Sequence, residues 1–504
     1  MKKYLRATWW TLMFAGLAQA QQITNSKLTA SEGSKADEFG NAVAIEGDQI
    51  LVGAHRDRPS GSFSGSAYIF QFDEGGWREK QKLVASDVSS YAQFGWDVAL
   101  SGANAIVGAC GDRHAGKESG AAYFFQFENG QWNELQKVVK KDAERDDLFG
   151  FSVAIEGNIA VVGVKGDNGG SGSAYVYELD GKSWVEVAEL GASDSESGDA
   201  FGADVAIAGE HIAIGAPERD EKGKKSGAVY IFQRKGAAWI ESAKLTANDA
   251  AEEDEFGGSI AFDGERLVVG AHLNDEKGAD AGAVYIFHLQ SNAWKEERKL
   301  TAKTGAAGDQ FGCDVSISGN NLVVAASGDD DKGQDAGAAY LFAKNGDDWQ
   351  EQEKLLANDG AENDAFGVSG AIDGNRFVVG AWLEDVGAEN TGAAYVFESG
   401  TAVSVPENNL TPNAFALEQN YPNPFNPSTI IRYKLLHTSK VGLAIYNRTG
   451  QKVRTLVHEN QYPGVYEVRW NGRNEQGLRV PSGQYFYSLN LGEFVQTRKM
   501  IYLK

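Results

Sequence analysis

The residues with the clearest chemical potential are carboxylates that cluster beside glycine. One stretch reads HLNDEKGADAG and another reads SGDDDKGQDAG. Seven candidate metal ligands lie in these stretches: Asp275, Glu276, Asp280, Asp329, Asp330, Asp331 and Asp335. Clustered carboxylate oxygens suit Ca²⁺, which prefers oxygen ligands. Carboxylates before turns also cap loop N–H groups or form a solvated rim, so the sequence leaves both interpretations open. No cofactor other than Ca²⁺ is indicated.

Four other residues vary within an otherwise regular frame and are candidates for a ligand-binding face. His55, His272 and Trp382 follow Gly-Ala steps, whereas Trp96 follows a Phe-Gly pair. An exposed Trp suits stacking on a sugar ring, although packing at a rim explains such residues equally well. The sequence contains no His-Glu-x-x-His, Gly-x-Ser-x-Gly, P-loop or Cys-x-x-Cys motif, so we predict that the protein is not an enzyme.

The distribution of charge excludes one class of partner. The net charge is −23, and because the chain from Ala414 onward carries +7 and the first twenty residues carry +3, residues 21–413 carry −33. Such an acidic body repels phosphate backbones, so nucleic acid is not expected as a partner.

The elements that must position these residues belong to a repeat of about 55 residues. A Phe-Gly pair opens each of seven units, at Phe39, Phe94, Phe149, Phe201, Phe256, Phe311 and Phe366. Each unit continues with a Gly-Ala step, which becomes Ala325-Ala326 in the sixth unit, and with a Gly-x-x-Tyr element. The pattern within a unit predicts four β-strands. Such a unit exposes two apolar faces, and a ring of units buries them, which predicts a seven-bladed β-propeller.

The repeat also predicts how the ring closes. In six units a Lys-Leu-like strand ends eleven residues before the next Phe, and Leu28 has the same spacing from Phe39. The seventh unit ends without such a strand, so we predict that an N-terminal strand at 26–30 completes the last blade. The long loops between strands two and three and between successive blades then emerge on one face, which is the expected ligand face.

The Phe-Gly and Gly-Ala repeats resemble the FG-GAP family, known from integrin α-subunit propellers and bacterial surface proteins. The resemblance covers residues 23–399 and implies a binding or adhesion role. The integrin version carries an Asp-x-Asp-x-Asp-Gly calcium loop between the two motifs. Here that stretch is a short turn, as at Glu46-Gly47-Asp48-Gln49, so those calcium sites are not carried over.

The two ends of the chain predict export. Residues 1–20 combine a basic start, an apolar stretch and the small-x-small sequence Ala18-Gln19-Ala20, which is typical of a secretory signal peptide. No other segment is apolar enough to span a membrane, so we expect no transmembrane span in the mature protein. The propeller is expected at 21–399, followed by a polar linker at 400–413.

Residues 414–504 predict a small Ig-like β-sandwich, because alternating apolar strands are separated by Gly, Asn and Pro turns. This domain resembles the type A C-terminal sorting domain of the type IX secretion system of Bacteroidetes. The resemblance rests on the stretch 421–427 (YPNPFNP), the stretch 481–485 (PSGQY) and the Lys499-Met500 ending. It implies that the type IX machinery recognises this domain and directs surface attachment or release.

Together these patterns predict an all-β protein: a seven-bladed propeller followed by a small Ig-like sandwich. We expect an exported, monomeric binding or adhesion protein at the outer-membrane surface or outside the cell, with a glycan or a surface or matrix protein as ligand. A polysaccharide-acting enzyme with a site assembled across blades, and a passive surface scaffold, are the alternatives.

Overall fold

The computed structural model describes most of the chain in two stretches. Residues 23–399 are described apart from 74, 75, 88, 292 and 347. Residues 415–502 are described apart from 418, 419, 421, 422, 424, 436–438, 448–450, 462, 463, 492 and 493. The predicted signal peptide and linker, and Tyr421, Pro422 and Pro424 of the proposed sorting motif, lie outside the described residues.

The first stretch folds into seven four-stranded antiparallel sheets, which confirms the predicted propeller. The strands are Phe39–Glu46, Gln49–Ala54, Ser66–Asp73 and Gly76–Leu83 in blade one; Val98–Ser101, Asn104–Ala109, Ala121–Glu128 and Gln131–Val138 in blade two; Phe149–Glu156, Ile159–Val164, Ser173–Asp180 and Ser183–Leu190 in blade three; Val205–Ala208, His211–Ala216, Ala228–Lys235 and Ala238–Leu245 in blade four; Ser259–Phe262, Arg266–Ala271, Ala283–Gln290 and Ala293–Leu300 in blade five; Val315–Ser318, Asn321–Ala326, Ala338–Asn345 and Asp348–Leu355 in blade six; and Phe366–Asp373, Arg376–Ala381, Ala393–Ser399 and Ile23–Leu28 in blade seven. A short helical turn, Asp167–Gly170, lies in the loop between the second and third strands of blade three.

The fourth strand of the last blade comes from the start of the described chain. Ile23–Leu28 pairs antiparallel with Ala393–Ser399, from Leu28 opposite Ala394 to Ile23 opposite Ser399. The strand lies earlier than the predicted 26–30, because its partner continues outward to Ser399 and offers backbone groups to the residues before position 26. Leu28 is buried in the apolar cluster that joins blades seven and one.

The two repeated motifs meet at each junction between blades, as blades one and two illustrate. Phe94 is fully buried in the apolar cluster between these blades. Gly95 has φ +91°, and a Cβ atom there would lie 2.2 Å from the carbonyl oxygen of Ser66. A Cβ atom on Gly53, which belongs to the Gly-Ala step of blade one, would lie 2.1 Å from the carbonyl oxygen of Gly95. Glycine is therefore required on both sides of this backbone contact.

Loops of neighbouring blades are joined by backbone hydrogen bonds on one face, which we call the loop face. At the first junction, Tyr91 donates its N–H to the carbonyl of Ser62 at 2.7 Å, and Gln93 donates to Phe63 at 3.0 Å. The loop between strands two and three of one blade is thereby paired with the segment that enters the next blade.

The C-terminal stretch forms two antiparallel sheets, which confirms the predicted Ig-like sandwich. Their strands are Phe415–Leu417, Thr429–Leu435 and Gly464–Trp470 in one sheet, and Ser439–Asn447, Lys452–Gln461, Gly483–Leu491 and Phe494–Tyr502 in the other. Phe425 is buried, with its ring centroid 5.5 Å from that of Trp470 and 5.0 Å from that of Tyr502. Phe425 of the proposed sorting motif is thus part of this core, whereas Asn423, Asn426 and Pro427 are exposed.

Candidate ligand-binding site

The first strands of the blades line a cavity of about 570 Å³ at the centre of the ring. Three of the four predicted ligand-face residues, His55, Trp96 and Trp382, line this cavity. The fourth, His272, lies outside the cavity lining, beside Gly258 of blade five. Its Nε2 is 3.8 Å from Oε2 of Glu255, and burial lowers the pKa of His272.

Four rings from consecutive blades form a continuous series along the cavity wall, which we call the aromatic arc: Trp382, His55, Trp96 and Phe151. The ring centroids of His55 and Trp382 are 6.0 Å apart with planes inclined by 30°, and those of His55 and Trp96 are 5.0 Å apart and nearly perpendicular. Trp96 and Phe151 are separated by 5.5 Å. Phe151 occupies the residue after a Phe-Gly pair, the same repeat position as Trp96, so its type and place could have identified it from the sequence.

His55 is held in a neutral state within the arc. Its side chain is 1% exposed, and burial together with the charge of Arg56 lowers its pKa to about 3. Nε2 of His55 lies 3.3 Å from Oε2 of Glu38, a carboxylate that also binds Arg56 at 2.6 Å. Nε2 thus faces a carboxylate, but among the described residues neither Oε2 of Glu38 nor Nδ1 of His55 has a hydrogen-bond partner.

Two buried polar atoms of the arc have no hydrogen-bond partner among the residues that the structure describes: Nδ1 of His55 and the indole Nε1 of Trp382. The indole Nε1 is a donor, whereas Nδ1 of a neutral imidazole donates or accepts according to its tautomer. Buried polar groups are normally paired, because an unpaired group loses its hydration without compensation.

Three aspartates that the sequence interpretation missed also line the cavity, and we call them the channel carboxylates: Asp97, Asp204 and Asp314. Each accepts one backbone N–H from its own blade and one from the next blade, at 2.6–2.9 Å. The donors are Val98 and Val153 for Asp97, Val205 and Ile260 for Asp204, and Val315 and Gly370 for Asp314. In the sequence, each of these aspartates is the third residue after the Phe of a Phe-Gly pair, in blades two, four and six.

The remaining junctions are bridged by other side chains at the equivalent part of the repeat. The hydroxyls of Ser152, Ser259 and Ser369 donate to the carbonyls of Gly202, Gly312 and Gly40 at 2.8–2.9 Å. Asn41 Nδ2 donates to the carbonyls of Gly95 and Trp96, at 2.9 and 2.7 Å. A side chain therefore bridges every pair of adjacent blades around the cavity.

The channel carboxylates are less acidic than ordinary aspartates. Burial raises the pKa of Asp97 to about 6 and that of Asp314 to about 7, although the backbone hydrogen bonds act in the opposite direction. Burial also raises the pKa of Asp204 well above its ordinary range, and the charges of Asp97 and Asp314 add to this effect. The charge of Asp97 also contributes to the raised pKa of Asp314.

The predicted metal ligands lie on the loop face, where several contact lysines. Lys354 Nζ lies 2.6 Å from Asp329 and 2.5 Å from Asp331, and Lys299 Nζ lies 2.7 Å from Glu276. Asp275 and Asp330 accept the backbone N–H groups of Asp280 and Asp335 at 2.9 and 2.8 Å. Within the described ranges, no group of three or more His, Cys, Asp or Glu side chains is placed to hold a metal ion. Calcium binding stays a prediction, and these ammonium groups already offset part of the negative charge.

The aspartates that precede six of the seven Phe-Gly pairs cap their loops. Each carboxylate accepts the N–H of the residue three positions earlier at 2.5–2.8 Å, and they are Asp37, Asp147, Asp199, Asp254, Asp309 and Asp364. This contact satisfies a loop donor and explains why the residue recurs.

Comparison with known proteins assigns the propeller to a family. The model described as "FG-GAP repeat" matches seven times, at residues 24–70, 77–125, 132–177, 184–232, 239–287, 294–342 and 349–397. The chain therefore belongs to the FG-GAP repeat family. The model described as "FlgD Ig-like domain" matches residues 431–492 in the C-terminal domain.

Among curated relatives, human integrin alpha-11 is 31% identical over 114 residues, as is the mouse protein. The match covers 21% of this chain and 9% of each integrin. One similar solved structure is that of PorZ from Porphyromonas gingivalis, whose title describes it as an essential bacterial surface component of the type-IX secretion system. It aligns with this chain with a TM-score of 0.43 at 13% identity. That alignment covers 95% of this chain and 61% of PorZ, and a similarity at this level carries no argument about fold or function.

Proposed function

We propose that the protein is an exported binding protein whose aromatic arc holds a glycan at the centre of the propeller. The observation that carries this proposal is the meeting of His55, Trp96 and Trp382 along one wall of a cavity of about 570 Å³. Indole rings stack on the apolar face of a sugar, and residues on the loops of a rigid scaffold commonly bind ligands.

The polar groups of the cavity favour a neutral, hydroxyl-rich ligand. The indole Nε1 of Trp382 is an unpaired donor among the described residues, and a movement of this ring on binding would present its N–H to a hydroxyl oxygen. Asp97, which is mainly ionised above its pKa of about 6, disfavours an anionic ligand in the same cavity, because like charges repel at short range. A glycan without acidic groups satisfies both conditions, whereas a protein ligand would have to insert a polar side chain.

A glycan and matrix-protein array tests this proposal. The mature chain, residues 21–504, is applied with and without calcium and EDTA, beside Trp96→Ala and Trp382→Ala. We expect wild type to bind one class of neutral glycan and both variants to lose that signal. A wild-type protein that binds nothing would instead support the passive scaffold, and a signal lost with EDTA would support the predicted calcium sites.

We further propose that residues 414–504 direct type IX secretion after an N-terminal signal peptide at 1–20, and that the protein acts on the cell surface or outside the cell. The proposal rests on the resemblance of the stretches 421–427 and 481–485 to the sorting domain, and described residues of both stretches make hydrogen bonds within the C-terminal domain. Asn423 Oδ1 accepts the N–H of Ile501 at 2.9 Å, and the Tyr485 hydroxyl donates to the carbonyl of Pro481 at 2.9 Å. In the described part of the chain, no helix is long and apolar enough to cross a membrane. Secretion assays with and without residues 414–504, in a host that has this machinery, test the proposal.

A polysaccharide-acting enzyme is the second candidate, and the channel carboxylates favour it. Carboxyl groups with a raised pKa can act as general acids at neutral pH. Against this candidate, both oxygens of Asp97, Asp204 and Asp314 already accept backbone N–H groups. Release of reducing ends from any glycan that binds on the array, abolished in Asp204→Asn, would favour the enzyme.

A further inference from the structure

One sector of the loop face differs in composition from the rest of the ring. Where blades one and two meet, two aromatic rings and three arginines cluster, and we call them the arginine–aromatic patch: Phe63, Tyr91, Arg56, Arg58 and Arg113. The ring centroids of Phe63 and Tyr91 are 5.7 Å apart. Tyr91 is 45% exposed although it is a large aromatic residue.

The seven blades provide an internal comparison for the two rings. Phe63 and Tyr91 occupy left-handed backbone positions, with φ +51° and +68°, and every blade repeats both positions with positive φ. The residues equivalent to Phe63 are Glu118, Gly170, Lys225, Asp280, Asp335 and Asn390, and those equivalent to Tyr91 are Ala36, Asp146, Gly198, Glu253, Gly308 and Asn363. A bulky side chain in this region is strained. Both aromatic exceptions fall at the same junction, so the fold itself does not account for them.

The arginines depart from the repeat in the same sector. Arg58 and Arg113 occupy a position that is aspartate in blades four to seven: Asp220, Asp275, Asp330 and Asp385. Each of these aspartates accepts the N–H of the left-handed residue five positions later, at 2.8–2.9 Å. An arginine cannot accept that hydrogen bond, so blades one and two give up this loop contact and reverse the local charge.

The guanidinium groups lie against the rings and remain accessible. The Cζ atoms of Arg56 and Arg58 lie 5.4 and 5.2 Å from the ring centroid of Phe63, and that of Arg113 lies 4.8 Å from Tyr91. The three arginine side chains are 39–44% exposed. Stacking fixes the guanidinium planes and leaves N–H edges that match carboxylates.

We propose that the arginine–aromatic patch is a protein-docking surface for a polypeptide segment that carries both carboxylates and apolar side chains. Arginine and tyrosine are enriched among the residues that dominate protein–protein binding. The patch is separate from the glycan cavity but adjoins it, because Glu38 contacts both Arg56 and His55. The proposal does not depend on glycan binding.

The charge balance favours a mixed segment over a highly charged polyanion. Each arginine already contacts a carboxylate of its own chain: Arg56 contacts Glu38, Arg58 contacts Asp37, and Arg113 contacts Glu118. The three arginines and three carboxylates balance in formal charge, and residues 21–413 as a whole carry −33. A polysulfated glycan would be repelled at distance, whereas a short segment with a few carboxylates gains from ring contacts and from hydrogen bonds to the exposed N–H edges.

Fluorescence anisotropy with labelled synthetic peptides tests the proposal on the mature chain. The probes are an alternating Glu-Tyr peptide, Glu-Ser and Lys-Tyr peptides of equal length, and a polysulfated oligosaccharide. Two double variants change the patch: Phe63→Asn with Tyr91→Asn, and Arg58→Asp with Arg113→Asp. Both introduce residue types that other blades carry at the same positions. They should therefore fold with an unchanged or higher Tm. The matched control is the double variant Lys225→Ala with Glu253→Ala, which changes the positions equivalent to Phe63 and Tyr91 where blades four and five meet.

We expect the Glu-Tyr peptide to bind wild type and the matched control equally, and to bind both patch variants about tenfold more weakly. The Glu-Ser and Lys-Tyr peptides should bind more weakly than Glu-Tyr to wild type. The proposal would be overturned if the Glu-Tyr peptide failed to bind, or if it bound wild type and the patch variants equally. It would also be overturned if wild type preferred the polysulfated probe, or if sedimentation experiments showed that a second copy of the chain occupies the patch.

Discussion

Oδ2 of Asp314 accepts the backbone N–H of Gly370 at 2.6 Å, and this bond joins blade six to blade seven at the wall of the central cavity. The other oxygen accepts the N–H of Val315 at 2.9 Å within blade six. One side chain therefore ties two blades together and also places an ionisable group in the cavity. Asp97 and Asp204 repeat the arrangement two blades apart.

This arrangement predicts an unusual pH dependence of stability at Asp314. The folded pKa of about 7 exceeds the unfolded value of about 4, so the folded state binds more protons between these values. The contribution of this group to stability is greatest below pH 4 and is lost as the pH rises through 7. The Tm of wild type minus the Tm of Asp314→Asn should therefore increase as the pH falls from 7 to 4. A difference that stays constant over this range would contradict the assigned environment.

The closure of the ring predicts the effect of Leu28→Ala. Leu28 is 4% exposed and packs in the cluster that joins blades seven and one. Removal of its side chain should lower the free energy of unfolding by about 3 kcal/mol. Leu300→Ala, at the equivalent position of an internal blade, is the control. Chemical denaturation should show similar losses for the two variants, whereas no loss for Leu28→Ala would mean that the ring does not depend on this strand.

The lysine contacts on the loop face predict what happens when an ammonium group is removed. Asp329 is almost fully buried and contacts Lys354 and the Tyr340 hydroxyl. Hydrogen bonds to Asp329 and Asp331 raise the pKa of Lys354 although burial opposes them. Lys354→Met should lower the free energy of unfolding by about 3 kcal/mol, because it leaves a buried carboxylate without a cation. We expect added Ca²⁺ to raise the Tm of this variant more than that of wild type, and equal responses would contradict the role given to Lys354.

Most of the fold could be predicted because each blade repeats the same physical requirement. Phe94 must fill the space between blades, and Gly95 must allow a backbone contact, so both residues recur at fixed spacing. The position of Leu28 relative to Phe39 indicated the source of the final strand, although the bounds of that strand depend on backbone pairing as far as Ser399.

The site could be predicted only in part, because its residues are distant in the chain. His55, Trp96 and Trp382 were recognised as variable positions in a regular frame, but sequence alone could not show that they share one wall of the cavity. Asp97 shares its position, three residues after the Phe, with Asp204 and Asp314, but the sequence alone could not show that this position lines the cavity. The sequence also could not show that Lys354 lies between Asp329 and Asp331.

Isothermal titration calorimetry with the best neutral glycan from the array tests the central claim most directly. Wild type, Trp96→Ala and a control, Trp294→Ala on the outer strand of blade five, are titrated under the same conditions. Stacking by Trp96 predicts that Trp96→Ala binds at least about tenfold more weakly, while Trp294→Ala binds as wild type does. Equal affinity for wild type and Trp96→Ala would contradict a glycan site at the aromatic arc.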